Sequence, residues 1–165
     1  MTKENRAIGQ ANAQMASIRD MVAAVELDWD RLDELKDEQA AYDTPAEYAA
    51  EYPDDAAELA ELAELAGDCE SEDEALERIN NDALSAEVRS GWTVPGDTVE
   101  PEEFRILLCT GGPAVQIKGE LDMYGEPCRA WLEYQDWFTG WTERINDSGD
   151  MEALLTYARC FYFGQ

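Results

Sequence analysis

From Ile8 onward the apolar side chains recur as Ile8, Ala11, Met15, Ile18, Val22, Val25, Trp29 and Leu32, in alternating steps of three and four. This a/d series runs for about four heptads and predicts one long helix over residues 5–41. A helix with such a seam needs a cover, supplied either by another helix of the chain or by a second copy of the protein.

The punctuation that follows divides the rest of the chain. Thr44-Pro45-Ala46-Glu47 has the cap residue, N1 proline and N3 glutamate of a helix start. Pro53 should kink or restart that helix, because a mid-helix proline removes a hydrogen bond and clashes with the preceding turn. Leu59, Leu62, Ala63 and Leu65 give it an apolar side, and Gly67 is placed to stop it. Ser71-Glu72-Asp73-Glu74 opens a short helix to about Asn81.

Around Val88 the period changes to alternation. Strands are expected at Phe104–Cys109, Val115–Lys118 and Arg129–Trp137, with turns at Thr110-Gly111-Gly112-Pro113 and Tyr124-Gly125-Glu126-Pro127, and a fourth strand around Trp141–Ile145. Asp147 then caps a final helix that turns Leu154, Leu155, Tyr157, Ala158 and Phe161 toward a core. The expected class is α+β: long N-terminal helices, as a helical hairpin or coiled-coil-like pair, then a small antiparallel sheet of three to four strands and a C-terminal helix. Residues 1–82 form the acidic helical region and 83–165 the sheet with its helix, in one continuous domain.

Charge is the second constraint. The 165 residues carry 38 acids against 12 bases and no histidine, a formal net charge of −26. Residues 20–82 hold 23 of the acids against Arg31, Lys36 and Arg78. So large an imbalance opposes compaction, repels nucleic acid and anionic membranes, and attracts basic proteins. A halophile would spread its acids over the whole surface, whereas here they are regional. The N-terminus has no signal-type apolar run, and no stretch approaches the roughly 20 apolar residues of a membrane span, so a cytoplasmic protein is expected. Cys69, Cys109, Cys128 and Cys160 form no C-x-x-C pair and read as free, mostly buried thiols in a reducing compartment.

Little in the chain points to catalysis. No histidine offers a general base, and neither a nucleophile elbow nor a phosphate-binding glycine motif is present. The two glycines of Thr110–Pro113 fit a hairpin turn better than a phosphate cradle. Asp28-Trp29-Asp30-Arg31-Leu32-Asp33 starts like a calcium loop but lacks its glycine and final glutamate, and the Asn146–Glu152 cluster reads as a helix cap. No enzyme activity, dedicated metal site or cofactor is therefore expected. Trp131, Tyr134, Trp137, Phe138 and Trp141 lack the positive groove of a nucleic-acid stacking platform, so they are read as sheet-face packing or as a protein-docking patch.

The acidic stretch Asp54–Gly67, DDAAELAELAELAG, is the informative one. A solvated helix face explains outward glutamates but not the near absence of Lys and Arg, which would have formed stabilising i,i+4 pairs. Laid as two helical stretches about 45 Å long, residues 20–82 would carry about one net charge per 2 to 2.5 Å, against about one per 1.7 Å for duplex DNA. Carboxylates at that density can stand in for phosphates toward the arginines of a nucleic-acid groove. The residues expected to touch the partner are Asp28, Asp30, Asp33, Asp37, Glu58, Glu61, Glu64, Asp68, Glu70 and Asp73.

The run EFRILLCTGGPAVQIKGELDMYGEPCRAWLEYQDWFTGWTE with the ending LLTYARCFYFGQ resembles small acidic proteins of prophages and other mobile elements. The resemblance covers about residues 85–165 and implies a setting, a mobile element inside a bacterium, but carries over no functional residues. The acidic half is similar in character to DNA-mimic inhibitors of the anti-restriction and anti-CRISPR kinds. Together these imply a non-enzymatic inhibitor that occupies the basic groove of a nucleic-acid-binding defence complex, binding no nucleic acid itself. The alternatives are a structural or assembly protein that oligomerises through helix 1, as a homodimer for example, and an antitoxin or chaperone for one basic protein.

Overall fold

A computed structural model describes residues 3–137 and 139–164. Its architecture is α+β, with six helices and one five-stranded antiparallel sheet among the described residues. In chain order these are α1 (Lys3–Val25), α2 (Trp29–Ala40), α3 (Pro45–Glu51), α4 (Pro53–Ala66), α5 (Glu72–Asp82), β1 (Ser85–Arg89), β2 (Glu103–Cys109), β3 (Ala114–Leu121), β4 (Pro127–Gln135), β5 (Thr142–Glu143) and α6 (Ser148–Arg159). No helix is long and apolar enough to cross a membrane among the described residues.

The chain divides into two compact units, one of residues 1–22 with 78–165 and one of residues 23–77. The division expected at residue 82 is thus displaced, because the first part of α1 belongs with the sheet. In the first unit the strands follow one another as an antiparallel meander, β1-β2-β3-β4-β5. Phe104, Ile106 and Leu108 of β2, Val115 and Ile117 of β3, and Ala130 and Leu132 of β4 are buried on one face. The ladder aligns them, with Ile106 opposite Ile117 and Ile117 opposite Leu132. Ala153, Leu154, Tyr157 and Ala158 of α6 are buried with them, while Leu155 and Phe161, expected to face the core, are half-buried.

α1 is tied to this unit by polar contacts. Arg19 Nε donates to Asp150 Oδ1 at 2.7 Å and its Nη2 to Asp147 Oδ1 at 2.8 Å, and Arg144 Nε donates to Asn12 Oδ1 at 2.9 Å. The buried positions of α1, Ala7, Ala11, Met15, Ile18, Met21, Val22 and Ala24, make a stripe wider than an a/d seam. That is the pattern of a helix packed in a core rather than in a coiled coil. One substitution-intolerant point fixes the sheet: Gly119 lies opposite Phe104, and a Cβ there would come within 2.2 Å of the Arg129 carbonyl oxygen and 2.3 Å of the Phe104 ring.

The second unit is a small helical body. Leu27, Leu32, Leu35, Tyr48, Leu59 and Ala66 form its core, with Trp29, Tyr42, Ala56 and Leu62 packed around it.

Several expectations are corrected. The single helix over 5–41 is two helices, because Asp28 leaves helical geometry (φ −76°, ψ 85°) and its side chain accepts the Arg31 N–H at 3.0 Å as an N-cap. The apolar spacing from Val25 to Trp29 spans the break and so conceals it. With α3 and α4 separated at Pro53, the acidic region is a cluster of short helices rather than a long hairpin or coiled coil. The sheet has five strands instead of three or four. β1 escaped because all five of its residues are exposed, so no burial alternation marks it. The thiols are all free, but none is fully buried and Cys128 is exposed. Phe138 of the aromatic group lies outside the described residues.

Candidate partner-binding surface

All ten acids singled out in the sequence fall in the 23–77 unit. That unit holds 21 of the 38 acids against Arg31 and Lys36 alone, a net of −19, which leaves −7 for the other 110 residues. Nine of the ten are exposed, and Glu58 is half-buried.

On α2, Asp30, Asp33 and Asp37 are spaced three and four apart and so share one face. Leu32 and Leu35 turn the other side inward, both at 0% exposure. Asp28 precedes the helix and is engaged as its cap. A carboxylate there also meets the positive end of the helix dipole, so part of its role is local.

Arg31 is the centre of the arrangement. Its guanidinium donates from Nε to Glu58 Oε1 at 3.1 Å, from Nη2 to Glu58 Oε2 at 3.0 Å and to Asp55 Oδ1 at 3.3 Å, and from Nη1 to Glu34 Oε2 at 2.9 Å. The fork onto Glu58 is the bidentate geometry that arginine supplies and lysine cannot. Its bond to Glu58, followed by that to Glu34, raises the guanidinium pKa, and the same bond holds the Glu58 carboxyl below its ordinary value. One base thereby joins the first turn of α2 to the first two turns of α4. Glu58 is an internal partner of Arg31, unlike its neighbours.

α4 begins at Pro53, with Asp54 and Asp55 in its first turn. Glu58, Glu61 and Glu64 recur every third residue, so each is rotated by about 60° from the last and the three fan across the helix surface. Gly67 (φ 58°) ends the helix. Asp68 and Glu70 lie in the turn that follows, where the Glu70 N–H donates to Glu74 Oε2 at 2.8 Å and the Glu74 N–H to Ser71 Oγ at 3.3 Å. Asp73 sits in the first turn of α5.

Of the ten, only Glu58 makes an ion pair among the described residues; with Asp28 taken up as the α2 cap, Asp30, Asp33, Asp37, Glu61, Glu64, Asp68, Glu70 and Asp73 are left open. The structure thus gathers them on one unit and leaves them open to solvent, while it commits Glu58 to Arg31 and Asp28 to the α2 cap.

Two features were not foreseen. Tyr42, Tyr48 and Tyr52 form a ring cluster with centroids 5.5 to 6.3 Å apart, and Tyr48 Oη donates to Glu38 Oε2 at 3.2 Å. Burial, then a hydrogen bond with Glu51, pushes the Tyr42 hydroxyl up to about 12. Tyr48 and Tyr52 lie four residues apart at the end of α3, but Tyr42 stands before Pro45 and the Thr44 cap, so the turn between α2 and α3, not a helical period, brings it to the other two. Arg31 is separated from Glu58 by 27 residues and was equally hidden. Among the described residues no three His, Cys, Asp or Glu side chains gather as around a metal ion.

No protein-family model, curated protein or solved structure matches the chain.

Proposed function

We propose that the protein is a non-enzymatic inhibitor whose acidic unit occupies the basic groove of a nucleic-acid-binding complex. The single observation that carries this reading is the set of eight exposed acids, engaged in neither an ion pair nor the α2 cap among the described residues, on a unit of net charge −19. At the compactness usual for 55 residues the unit is about 26 Å across, which gives about one net charge per 1.4 Å against about one per 1.7 Å of duplex DNA. The shorter helices therefore concentrate the charge more than the extended pair foreseen from the sequence. Eight open carboxylates are acceptors for the arginines and lysines that otherwise hold phosphates.

The resemblance to mobile-element proteins favours a host-defence complex of the anti-CRISPR or anti-restriction type as target. Ile18, on which assembly through helix 1 would depend, has 0% exposure within the chain, and this weighs against the assembly reading.

The test is capture of a nuclease-treated bacterial lysate on the immobilised protein, eluted with duplex DNA or structured RNA. A basic nucleic-acid-binding complex released by its own nucleic acid is the expected result. Binding that ignores the competitor, or that persists when Asp33, Asp37, Glu61 and Glu64 are all changed to Lys in a protein of unchanged circular dichroism, sinks the proposal.

A further inference from the structure

At its β5 end the sheet finishes in a strand of two residues, a short edge that offers little for another chain to pair with. The β1 end is built differently. β1 pairs with β2 alone, and all five of its residues are exposed. It holds no lysine, proline or bulge, the devices that usually guard an open edge.

One face of that edge is apolar. The ladder sets Ala86 opposite Ile106 and Val88 opposite Phe104, and residues opposite one another lie on the same face of a sheet. Ile106 and Phe104 are sealed in the core at 0% and 1% exposure, yet Val88 is 45% exposed and Ala86 is exposed as well. Leu84, two residues before Ala86, is 59% exposed. Beyond β1 no turn or bend intervenes before Pro95, so the period of two brings the fully exposed Trp92 into the same row. The apolar layer of the core thus runs out to the edge of the sheet and stops there without cover.

Charge is the second, independent observation. In a chain of net charge −26, the stretch 83–96 contains two charged residues, Glu87 and Arg89, and so no net charge. Both lie on the opposite face of the strand, where Glu87 pairs with Arg105 and Arg89 with Glu103.

We propose that β1 pairs antiparallel with β1 of a second copy, about a two-fold axis through Val88, so that the two sheets run on as one. In that register Val88 meets Val88, Ala86 meets Ser90 and Leu84 meets Trp92 on the apolar face. On the other face Glu87 of each copy meets Arg89 of the second, and the existing ion pairs extend into a row of alternating sign. Neighbouring registers lack this match. A slide of two residues sets Glu87 against Glu87 or Arg89 against Arg89, and a slide of one turns the apolar row of one copy onto the charged face of the other. A different partner would have to supply both patterns, whereas a second copy already carries them. At about 0.15 M salt fields fade beyond about 8 Å, so acids elsewhere in the chain do not govern a contact without net charge. The pairing is independent of what the acidic unit binds.

The nine residues 84–92 of each copy make a small interface, below the roughly 20–30 a side of standard size, so a dissociation constant on the order of 10 µM is expected. The test is sedimentation velocity of the full chain from about 1 to about 300 µM in about 0.15 M sodium chloride. A reversible monomer–dimer equilibrium is expected, with no larger species, because a two-fold contact closes. Glu87→Arg and Arg89→Glu should each weaken the dimer about tenfold, since each sets like charges opposite one another twice. An equimolar mixture of the two variants should restore it, because every opposed pair then has opposite signs. Trp92→Ser, outside the strand, should also weaken it about tenfold. The proposal is overturned by a monomer at every concentration, which leaves the edge to a different protein, or by assembly beyond the dimer. It is equally overturned if Glu87→Arg or Trp92→Ser leaves the dimer unchanged, or if the mixture is no tighter than its components. If a charge reversal alters the circular dichroism, Trp92→Ser and Val88→Lys, which sets two ammonium groups on the axis, decide in its place.

Discussion

The two units of this protein handle charge in opposite ways. In the sheet unit five arginines are each matched to a carboxylate: Arg19 and Arg144 meet Asp150, and three cross-strand pairs line the outer face. In the 23–77 unit one arginine serves Glu34, Asp55 and Glu58 while most other acids face water unmatched. The same chain therefore shows that pairing was attainable, and that the acidic unit forgoes it. Isolated exposed pairs contribute little, so the lack of pairing costs the unit only modestly, while a surface of unmatched acids retains its full attraction for a basic partner.

The strongest way to break this contrast is to remove a matched charge from the sheet unit. Asp150 is 5% exposed and accepts from Arg19 Nε at 2.7 Å and Arg144 Nη1 at 2.8 Å. Asp150→Asn should destabilise that unit by about 3 kcal/mol, because two guanidinium groups lose their common counter-charge. Burial by itself raises the Asp150 carboxyl, but Arg144 and then Arg19 more than offset it, so its folded pKa lies below the ordinary value. A depressed carboxyl contributes stability that is present above the unfolded value of about 3.9 and is lost as the pH falls through the folded value. Urea denaturation of the wild type should accordingly weaken below about pH 4. The Asn variant should have a flatter acid limb, and an identical limb would show that the carboxyl is not coupled to folding.

Gly119→Ala sharpens the comparison by probing apolar rather than ionic order in the same unit. The added Cβ meets a backbone oxygen at 2.2 Å, which cannot rotate away, and the expected loss is about 2 kcal/mol. An alanine variant of wild-type stability would mean that β3 and β4 shift at little cost.

Much of this unit was legible in the sequence, since caps, turns and alternation are local signals. The Asp147 cap is read directly, and its reciprocal bond with Asp150 is present in the structure. The hairpin at Thr110–Pro113 falls between β2 and β3, with Gly111 at φ 94°. The bare edge was not legible, because Ala86 and Val88 become unusual only once the register sets them opposite Ile106 and Phe104 and leaves them uncovered. In the acidic unit the reverse holds. The exposed acids could be named because their types and density are visible in the sequence, but Arg31 as their one internal partner could not, since its contacts are tertiary.

Arg31→Met therefore tests the acidic unit where the sequence said least. It keeps the side-chain length while removing the fork onto Glu58. Amide exchange in the first turns of α2 and α4 should accelerate several-fold, with no change in the sheet. Uniform acceleration across both units would mean that Arg31 stabilises the whole chain and that the two are not independent.

The smallest expected effect, and the most direct on the contrast, is that of salt. Within α2, Asp30 and Glu34, Asp33 and Asp37, and Glu34 and Glu38 are like charges four residues apart, each pair costing a few tenths of a kcal/mol at low ionic strength. Raising sodium chloride from about 0.01 M to about 1 M shortens the screening length from about 30 Å to about 3 Å and should relieve that repulsion. Exchange in α2 and α4 should slow by about threefold, as a gain of roughly 0.7 kcal/mol implies. The strands of the sheet unit should change in the other direction or not at all, because screening weakens matched pairs. Equal slowing in both units would point to a general salting effect on apolar burial. Slowing confined to the acidic helices would identify their self-repulsion as a cost the fold carries, and a basic partner that neutralised those carboxylates would relieve the same repulsion on binding.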